Sequence, residues 1–178
     1  RVEGTAVALL DDQLAGDGRD QRMMRPSGRS PGQDMAIAAL MLDVNDQSLA
    51  DMKTLIEREG VTSFKLFMAY PGVLMLDDGV LFKAMRVAGS NGAMTCVHAE
   101  NGPVIDVLVK EALAQGLRAP KYHATTRPSI LEGEATRRAI TLAELARTPL
   151  YVVHLSAGEA LSAVTEARDR GIPIHAET

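Results

Sequence analysis

Short apolar runs alternate with amphipathic segments along most of the sequence, and this alternation constrains the fold more than any other feature. The apolar runs are nearly continuous, which is typical of strands covered on both faces of a parallel sheet. Amphipathic helices between such strands are the crossovers that parallel βα units require. The pattern therefore predicts an α/β fold whose strands are Thr62–Ala69, Ala93–Ala99, Leu150–Ser156 and Ile172–Ala176.

Residues that favour helix ends delimit the predicted helices. Asp46 can cap the first helix, and Gly60 follows its last turn. Asn101 can cap a later helix that has a proline near its first turn. The acidic pair Asp77-Asp78 suits the positive end of another helix dipole. The predicted helices are 46–59, 81–88, 103–115, 131–147 and 158–170, with a polar loop before the fourth.

The first 42 residues differ in composition from the remainder of the chain. They contain none of the three Phe and three Tyr residues, and residues 11–34 are rich in Gly, Asp, Arg and Ser. Apolar residues there follow no sustained period. We predict an irregular N-terminal segment over residues 1–42 and one domain over residues 43–178. The Ala-rich stretch Met35–Leu42 is compatible with a short helix or a strand.

Composition excludes several classes of function. A net charge of -4 and 3% aromatic residues give no basic or stacking surface for nucleic acid. No apolar run reaches the roughly 18 residues of a membrane helix. Cys96 is the single cysteine, so an internal disulfide is impossible. We expect a cytoplasmic protein that binds neither nucleic acid nor membranes.

Three polar residues interrupt the predicted strands. Lys65 lies within one apolar run, and His98 and His154 end the next two. The carboxyl ends of parallel strands are where α/β proteins build active sites, and imidazole is a common metal ligand. Each histidine could instead be a hydrogen-bonded core residue, and Lys65 could pair with an acid such as Glu100. Position alone leaves both interpretations open.

The local sequences around these residues carry more information. They read Ser63-Phe-Lys-Leu-Phe-Met-Ala-Tyr70, Val97-His-Ala-Glu-Asn-Gly102 and Tyr151-Val-Val-His-Leu-Ser156. Further matches are Tyr122-His-Ala with Arg127-Pro, Glu132-Gly-Glu-Ala-Thr136 and the final Ala-Glu-Thr178. Together they resemble the dihydropyrimidinase and hydantoinase family of cyclic amidohydrolases over about residues 43–178. The spacings agree with that family: 98 − 65 = 33 and 154 − 98 = 56.

The resemblance implies the central part of a metal-dependent (β/α)8 TIM barrel, with about four parallel strands here. It implies hydrolysis of the cyclic amide bond of dihydropyrimidines or hydantoins, a small cyclic diamide being the substrate. In the family the lysine matching Lys65 is carboxylated and bridges two metal ions, usually zinc and in some cases other divalent metals. His98 and His154 match ligands of the second ion, and Tyr70 matches the tyrosine that holds the substrate and the oxyanion.

Part of the family pattern has no match in this sequence. No His-x-His pair occurs, and no counterpart of the late aspartate ligand is found, so three of six expected ligands are present. We therefore expect this chain alone to be weakly active or inactive. The family also implies a homo-oligomer, a tetramer. An alternative is a non-catalytic interaction or assembly module of this family. No ligand role is predicted for His123 or His175, and none as a nucleophile for Cys96.

Overall fold

Five parallel strands lie side by side in chain order in the computed structural model, which describes residues 38–178. A doubly wound sheet would reverse its strand order at a switch point, whereas the sequential order observed here is that of a (β/α)8 barrel segment. The strands are β1 (Ala38–Leu40), β2 (Ser63–Phe67), β3 (Met94–His98), β4 (Leu150–Val152) and β5 (Ile174–Ala176).

Helices connect every pair of neighbouring strands. The connection from β3 to β4 is the longest and contains three helices. The helices are α1 (Asp46–Glu59), α2 (Asp78–Ser90), α3 (Gly102–Ala114), α4 (Tyr122–Thr125), α5 (Ser129–Ala146) and α6 (Gly158–Asp169). The sequence did not predict α4, because four residues are too few to show a helical period.

Helix ends agree closely with the expected caps. Asn45, rather than Asp46, caps α1: its side chain accepts hydrogen bonds from the backbone N–H of Gln47 and Ser48. Asp46 is instead the first helical residue, where its negative charge still favours the helix dipole. Gly60 ends α1 in the left-handed conformation, with φ of 69°. The side chain of Asp77 caps α2.

The two faces of the sheet have different compositions because side chains alternate along a strand. One face packs on the helices through buried residues that include Phe64, Leu66, Val97, Leu150 and Ile174. The strand register places a row of polar and aromatic residues on the opposite face. This row consists of Lys65, Cys96, Tyr151 and His175.

The described residues correct two sequence expectations about strands. The sheet has five strands rather than about four, because Ala38–Leu40 pairs with β2; the sequence left this stretch open between helix and strand. Strand β4 ends at Val152, so His154 lies two residues beyond it instead of on it. The predicted irregular segment lies mostly outside the described residues, since its residues 1–37 are not among them. Within residues 38–178, no helix is long and apolar enough to cross a bilayer.

Candidate active site

The carboxyl ends of β2, β3 and β4 bring Tyr70, His98 and His154 to one end of the sheet, whereas Lys65 is the middle residue of β2 and does not line the cavity there. His98 is the last residue of β3, and the register pairs it with Phe67 of β2. Tyr70 follows β2 by three residues, and His154 follows β4 by two. A cavity of about 390 Å³ is lined by Tyr70, His98 and His154 together with residues of the α3–α5 connection.

The two histidines face each other through defined nitrogen atoms. Nδ1 of His98 lies 2.9 Å from Nε2 of His154, and their ring centroids are 4.6 Å apart. Nε2 of His98 lies 2.6 Å from Oε2 of Glu100. A carboxylate accepts only, so Nε2 of His98 donates to Glu100, and in the neutral ring Nδ1 accepts the hydrogen bond that Nε2–H of His154 donates. Nδ1 of His98 and Nε2 of His154 are therefore the nitrogens that converge.

Glu100 is held in the ionised form. The hydrogen bond from His98 lowers the pKa of Glu100, and the charge of Arg127 acts in the same direction against the effect of burial. Nε of Arg127 lies 3.7 Å from Oε1 of Glu100. Glu100 thus pairs with His98 and Arg127, and not with Lys65 as one sequence interpretation allowed.

Lys65 is buried in the sheet with 7% of its surface exposed. Burial lowers the pKa of Lys65 to about 8, although the negative charges available at Cys96 and Glu177 oppose this change. The Nζ atom lies 5.0 Å from the centroid of the Phe67 ring, which itself stacks on His98. Burial therefore gives Lys65 a far larger neutral fraction near pH 7 than an exposed lysine has.

The same environment keeps His154 neutral. Loss of water around the ring lowers the pKa of His154, and a positive charge on His98 or on Lys65 acts in the same direction. A neutral imidazole is the form that binds metal ions.

Tyr70 projects from a tight turn next to His98. Its carbonyl oxygen accepts hydrogen bonds from the backbone N–H of Val73, Leu74 and Met75. Its ring centroid lies 5.2 Å from that of His98, and 39% of the residue surface is exposed. The turn therefore brings the ring against His98, and part of the ring remains exposed where it lines the cavity.

Backbone strain is concentrated at this site. Among residues 38–178, three non-glycine residues have a positive φ: Tyr70 (65°), Arg147 (55°) and His154 (40°). Arg147 ends helix α5, where a left-handed residue is common. The other two are sequence-predicted site residues. Such conformations cost about 1–3 kcal/mol each and persist only where surrounding contacts impose them.

Gly102 allows α3 to begin directly against the end of β2. A Cβ atom at this position would lie 2.8 Å from the Cα of Ala69 and 2.8 Å from the carbonyl oxygen of Met68. The Gly102 N–H donates to that Met68 oxygen at 3.2 Å. This close approach joins the segment before Tyr70 to the segment after His98.

The remaining histidines and the cysteine do not join the converging pair. His123 lines the cavity from α4, where its Nδ1 lies 3.2 Å from Nη1 of Arg127. His175 is exposed on β5 and stacks against Tyr151. Cys96 is buried, and burial raises the pKa of its thiol, which disfavours a nucleophilic thiolate.

The imidazole nitrogens of His98 and His154 are the donor atoms that the cavity offers to a metal ion. In the part of the chain that the structure describes, no group of three or more His, Cys, Asp or Glu side chains is placed to hold a metal ion. The two imidazole nitrogens at 2.9 Å share one proton, which an ion bound by both would displace. Lys65 lies on the strand next to that of His98 and does not line the cavity; a carboxylated Lys65 would supply an anionic oxygen.

Three polar residues organise the cavity, and sequence reasoning gave a role to none of them except Glu100, which it considered only as a partner of Lys65. Glu100 and Arg127 support His98, and Glu132 of α5 binds the segment after His154. Glu100, Arg127 and Glu132 all lay inside the quoted motifs. Only the fold shows that their carboxylates reach the segments carrying the two histidines.

Comparison with known proteins gives consistent relatives. No family model matches the sequence. The chain is 52% identical over 145 residues to a D-hydantoinase of Streptomyces coelicolor, which covers 82% of this chain and 31% of that protein. It is 44% identical over 121 residues to a dihydropyrimidinase of Arabidopsis thaliana, covering 68% of this chain and 23% of the relative. The crystal structure of a dihydropyrimidinase from Brevibacillus agri superposes with a TM-score of 0.76 at 50% identity, covering 78% of this chain and 30% of that one.

Proposed function

Because the chain belongs to the D-hydantoinase and dihydropyrimidinase family, we propose that the protein hydrolyses the cyclic amide bond of hydantoins or dihydropyrimidines. The chain spans 31% of the length of the D-hydantoinase it matches, so the activity is proposed for the protein as it occurs naturally. One observation carries the proposal: Nδ1 of His98 and Nε2 of His154 converge at 2.9 Å, and the strand next to that of His98 carries buried Lys65, whose pKa is lowered to about 8.

We assign the binding of divalent metal, zinc in the first instance, to Lys65, His98 and His154. His98 would bind through Nδ1, because Glu100 occupies its Nε2 atom. A carboxylate on the far nitrogen of a metal-binding histidine fixes the tautomer and increases the basicity of the ligand atom. When bound, a pair of such ions lowers the pKa of water and polarises a carbonyl group, which supplies hydrolytic power at neutral pH.

Lys65 is suited to carboxylation by carbon dioxide. The neutral amine forms a bond from nitrogen to the carbon of CO₂, one C=O electron pair moves to oxygen, and the nitrogen loses a proton. The product is an anionic carbamate. The reaction needs an unprotonated amine, and burial supplies it by lowering the pKa of Lys65 to about 8.

Tyr70 is positioned to hold the substrate. Its ring is fixed beside His98 at a centroid distance of 5.2 Å, and its partly exposed side chain lines the cavity. A phenol O–H directed at the amide oxygen would stabilise the negative charge that develops there. The cavity volume of about 390 Å³ accommodates a small cyclic diamide.

Turnover and metal content of the protein at its natural length test this function. We expect ring opening of dihydrouracil or a 5-substituted hydantoin, stoichiometric zinc, and loss of activity with a chelator that zinc restores. A protein that folds but neither binds metal nor opens any of these rings would contradict the proposal and favour a non-catalytic module. The proposal includes self-association as a homo-oligomer and a cytoplasmic location, which sedimentation and cell fractionation test.

A further inference from the structure

The segment that follows His154 is bound by a side chain from a distant helix. Oε1 of Glu132 in α5 accepts hydrogen bonds from the backbone N–H of Ser156 at 2.7 Å and of Ala157 at 3.1 Å. Its Oε2 accepts from the Ser156 hydroxyl at 2.6 Å. One carboxylate therefore makes three hydrogen bonds to two consecutive residues, 24 and 25 positions along the chain.

These bonds also cap α6. Ala157 is the N-cap residue of α6 and has no side chain that can accept a hydrogen bond. Glu132 accepts from the N–H of this N-cap residue, and its negative charge lies at the positive end of the α6 dipole. The start of α6 is thus fixed relative to α5 rather than by its own sequence.

Gly133 makes this contact possible. A Cβ atom at Gly133 would lie 2.5 Å from the Cβ of Glu159 in the first turn of α6. Only glycine allows the N-terminal part of α5 to come this close to the first turn of α6. The carboxylate of the neighbouring Glu132 then reaches Ser156. The contact is therefore built into the packing of α5 on α6 and does not depend on a long flexible side chain crossing open space.

We propose that Glu132 is a positioning residue that holds His154 in its strained conformation, with Nε2 directed at Nδ1 of His98. His154 has a φ of 40°, which requires support from its surroundings. On its N-terminal side, the Val153 N–H donates to Val97 in β3. On its C-terminal side, Leu155 is buried and its N–H donates to the Glu177 carbonyl oxygen at 2.6 Å, and Glu132 binds the next two residues.

The effect on catalysis rests on the proposed function, whereas the effect on His154 does not. A neutral glutamine can reproduce all three contacts: its amide oxygen accepts from both N–H groups, and its NH₂ group donates to the Ser156 hydroxyl oxygen. Alanine reproduces none of them. A positioning role thus predicts that Glu132→Gln is mild and Glu132→Ala is severe, whereas a role in proton transfer would make both severe.

The test uses the protein at its natural length, with Glu144→Ala as the matched control. Glu144 also lies on α5 and also binds the α6 region, through Arg170 at 2.9 Å, but at the end away from the cavity. We expect Glu132→Ala to weaken zinc affinity by about 10-fold to 100-fold, and to lower kcat more than it raises KM. Glu132→Gln and Glu144→Ala should remain close to wild type in both measurements.

A direct measurement on the metal-free protein separates this proposal from the proposed function. The crystal structure or the imidazole ¹⁵N shifts of Glu132→Ala should show Nε2 of His154 displaced from Nδ1 of His98. If Glu132→Ala does not fold, Ser156→Ala removes only the hydroxyl contact and should give a smaller shift in the same direction. An unchanged His154 in these variants, or equal damage from Glu132→Gln and Glu132→Ala, would overturn the positioning role. If His154 is displaced in Glu132→Ala but the wild-type protein has no hydrolytic activity, the positioning role of Glu132 stands and the proposed function is rejected.

Discussion

Glu100 accepts a hydrogen bond from Nε2 of His98 at 2.6 Å, and this contact determines which nitrogen of His98 is available to the cavity. The lone pair of Nδ1 then faces His154. The charge of Arg127, 3.7 Å from the same carboxylate, helps to keep Glu100 ionised. Strand β3 therefore positions His98, and the Glu100 carboxylate on the loop after β3 determines which of its ring nitrogens carries the proton.

Replacement of Glu100 tests this relationship. Glu100→Gln removes the negative charge but keeps an acceptor atom, so we expect zinc affinity to fall by about 10-fold to 100-fold with the fold retained. Glu111→Gln is the control, since Glu111 is exposed on the neighbouring helix α3. Competition with a coloured chelator measures the affinity. Equal affinities in the two variants would contradict the role of Glu100.

Lys65→Ala should abolish the anionic ligand. We expect kcat/KM to fall by about 10³-fold, because several kcal/mol of charge stabilisation are lost and each 1.36 kcal/mol corresponds to a factor of ten. Added acetate or propionate should restore part of the activity by occupying the space left by the side chain. Lys83→Ala, at an exposed position on α2, should leave activity unchanged with or without the acid. Full activity of Lys65→Ala without an added acid would exclude the carboxylated lysine.

Tyr70→Phe removes only the phenol oxygen. The ring contacts with His98 and Phe67 remain, so we expect normal stability and zinc content. We expect kcat to fall by about 10²-fold to 10³-fold, the effect of losing one donor to a developing oxyanion. Tyr122→Phe, outside the residues that line the cavity, is the control. Steady-state kinetics that show a change in KM alone would indicate binding rather than transition-state stabilisation.

Gly133→Ala should destabilise the protein by about 1–3 kcal/mol, because the new Cβ overlaps an atom that cannot move independently of α6. That atom is the Cβ of Glu159, 2.5 Å away. Gly158→Ala is a matched control on α6, where an added Cβ meets no atom within 4 Å. Urea denaturation measures the free energy of unfolding of both variants. If Gly133→Ala is as stable as Gly158→Ala, helices α5 and α6 leave room for a Cβ atom at residue 133, which would contradict the 2.5 Å distance.

The titration of the Tyr151 hydroxyl tests the surroundings of the row formed by Lys65, Cys96, Tyr151 and His175. Burial, followed by the negative charge of Glu177, raises the pKa of Tyr151 to about 12. The unfolded chain loses this proton near an ordinary pKa of about 10, whereas the folded chain retains it. The free energy of unfolding should therefore decrease as pH rises from about 10 to about 12.

Glu177→Gln should narrow the pH range over which the free energy of unfolding decreases. Glu177 Oε2 accepts from the Tyr151 hydroxyl at 3.2 Å, and removal of its charge should lower the pKa of Tyr151. The pKa should stay above the ordinary value because burial remains. Near-ultraviolet absorbance, with Tyr151→Phe as the reference, measures the titration. An unchanged pKa in Glu177→Gln would show that the carboxylate does not act on the phenol.

The sequence by itself determined the parallel α/β order and three of the four residues around which the site is built. Continuous apolar runs identify buried strands through local composition, and Lys65, His98 and His154 stand out because a polar residue there opposes the pattern. The role of Tyr70 came only with the family motif. Helix ends were close to those observed, since caps depend on residues within one turn, although Asn45 replaced Asp46.

Only the tertiary structure decided the atoms that meet. The pairing of Nδ1 with Nε2, the strain at His154 and the reach of Glu132 to Ser156 depend on packing between segments 24 or more residues apart. Strand β1 has three residues and forms because β2 offers it hydrogen bonds, a stabilisation that no local pattern contains. Local sequence therefore specifies which residues are unusual, and long-range packing specifies what each of them contacts.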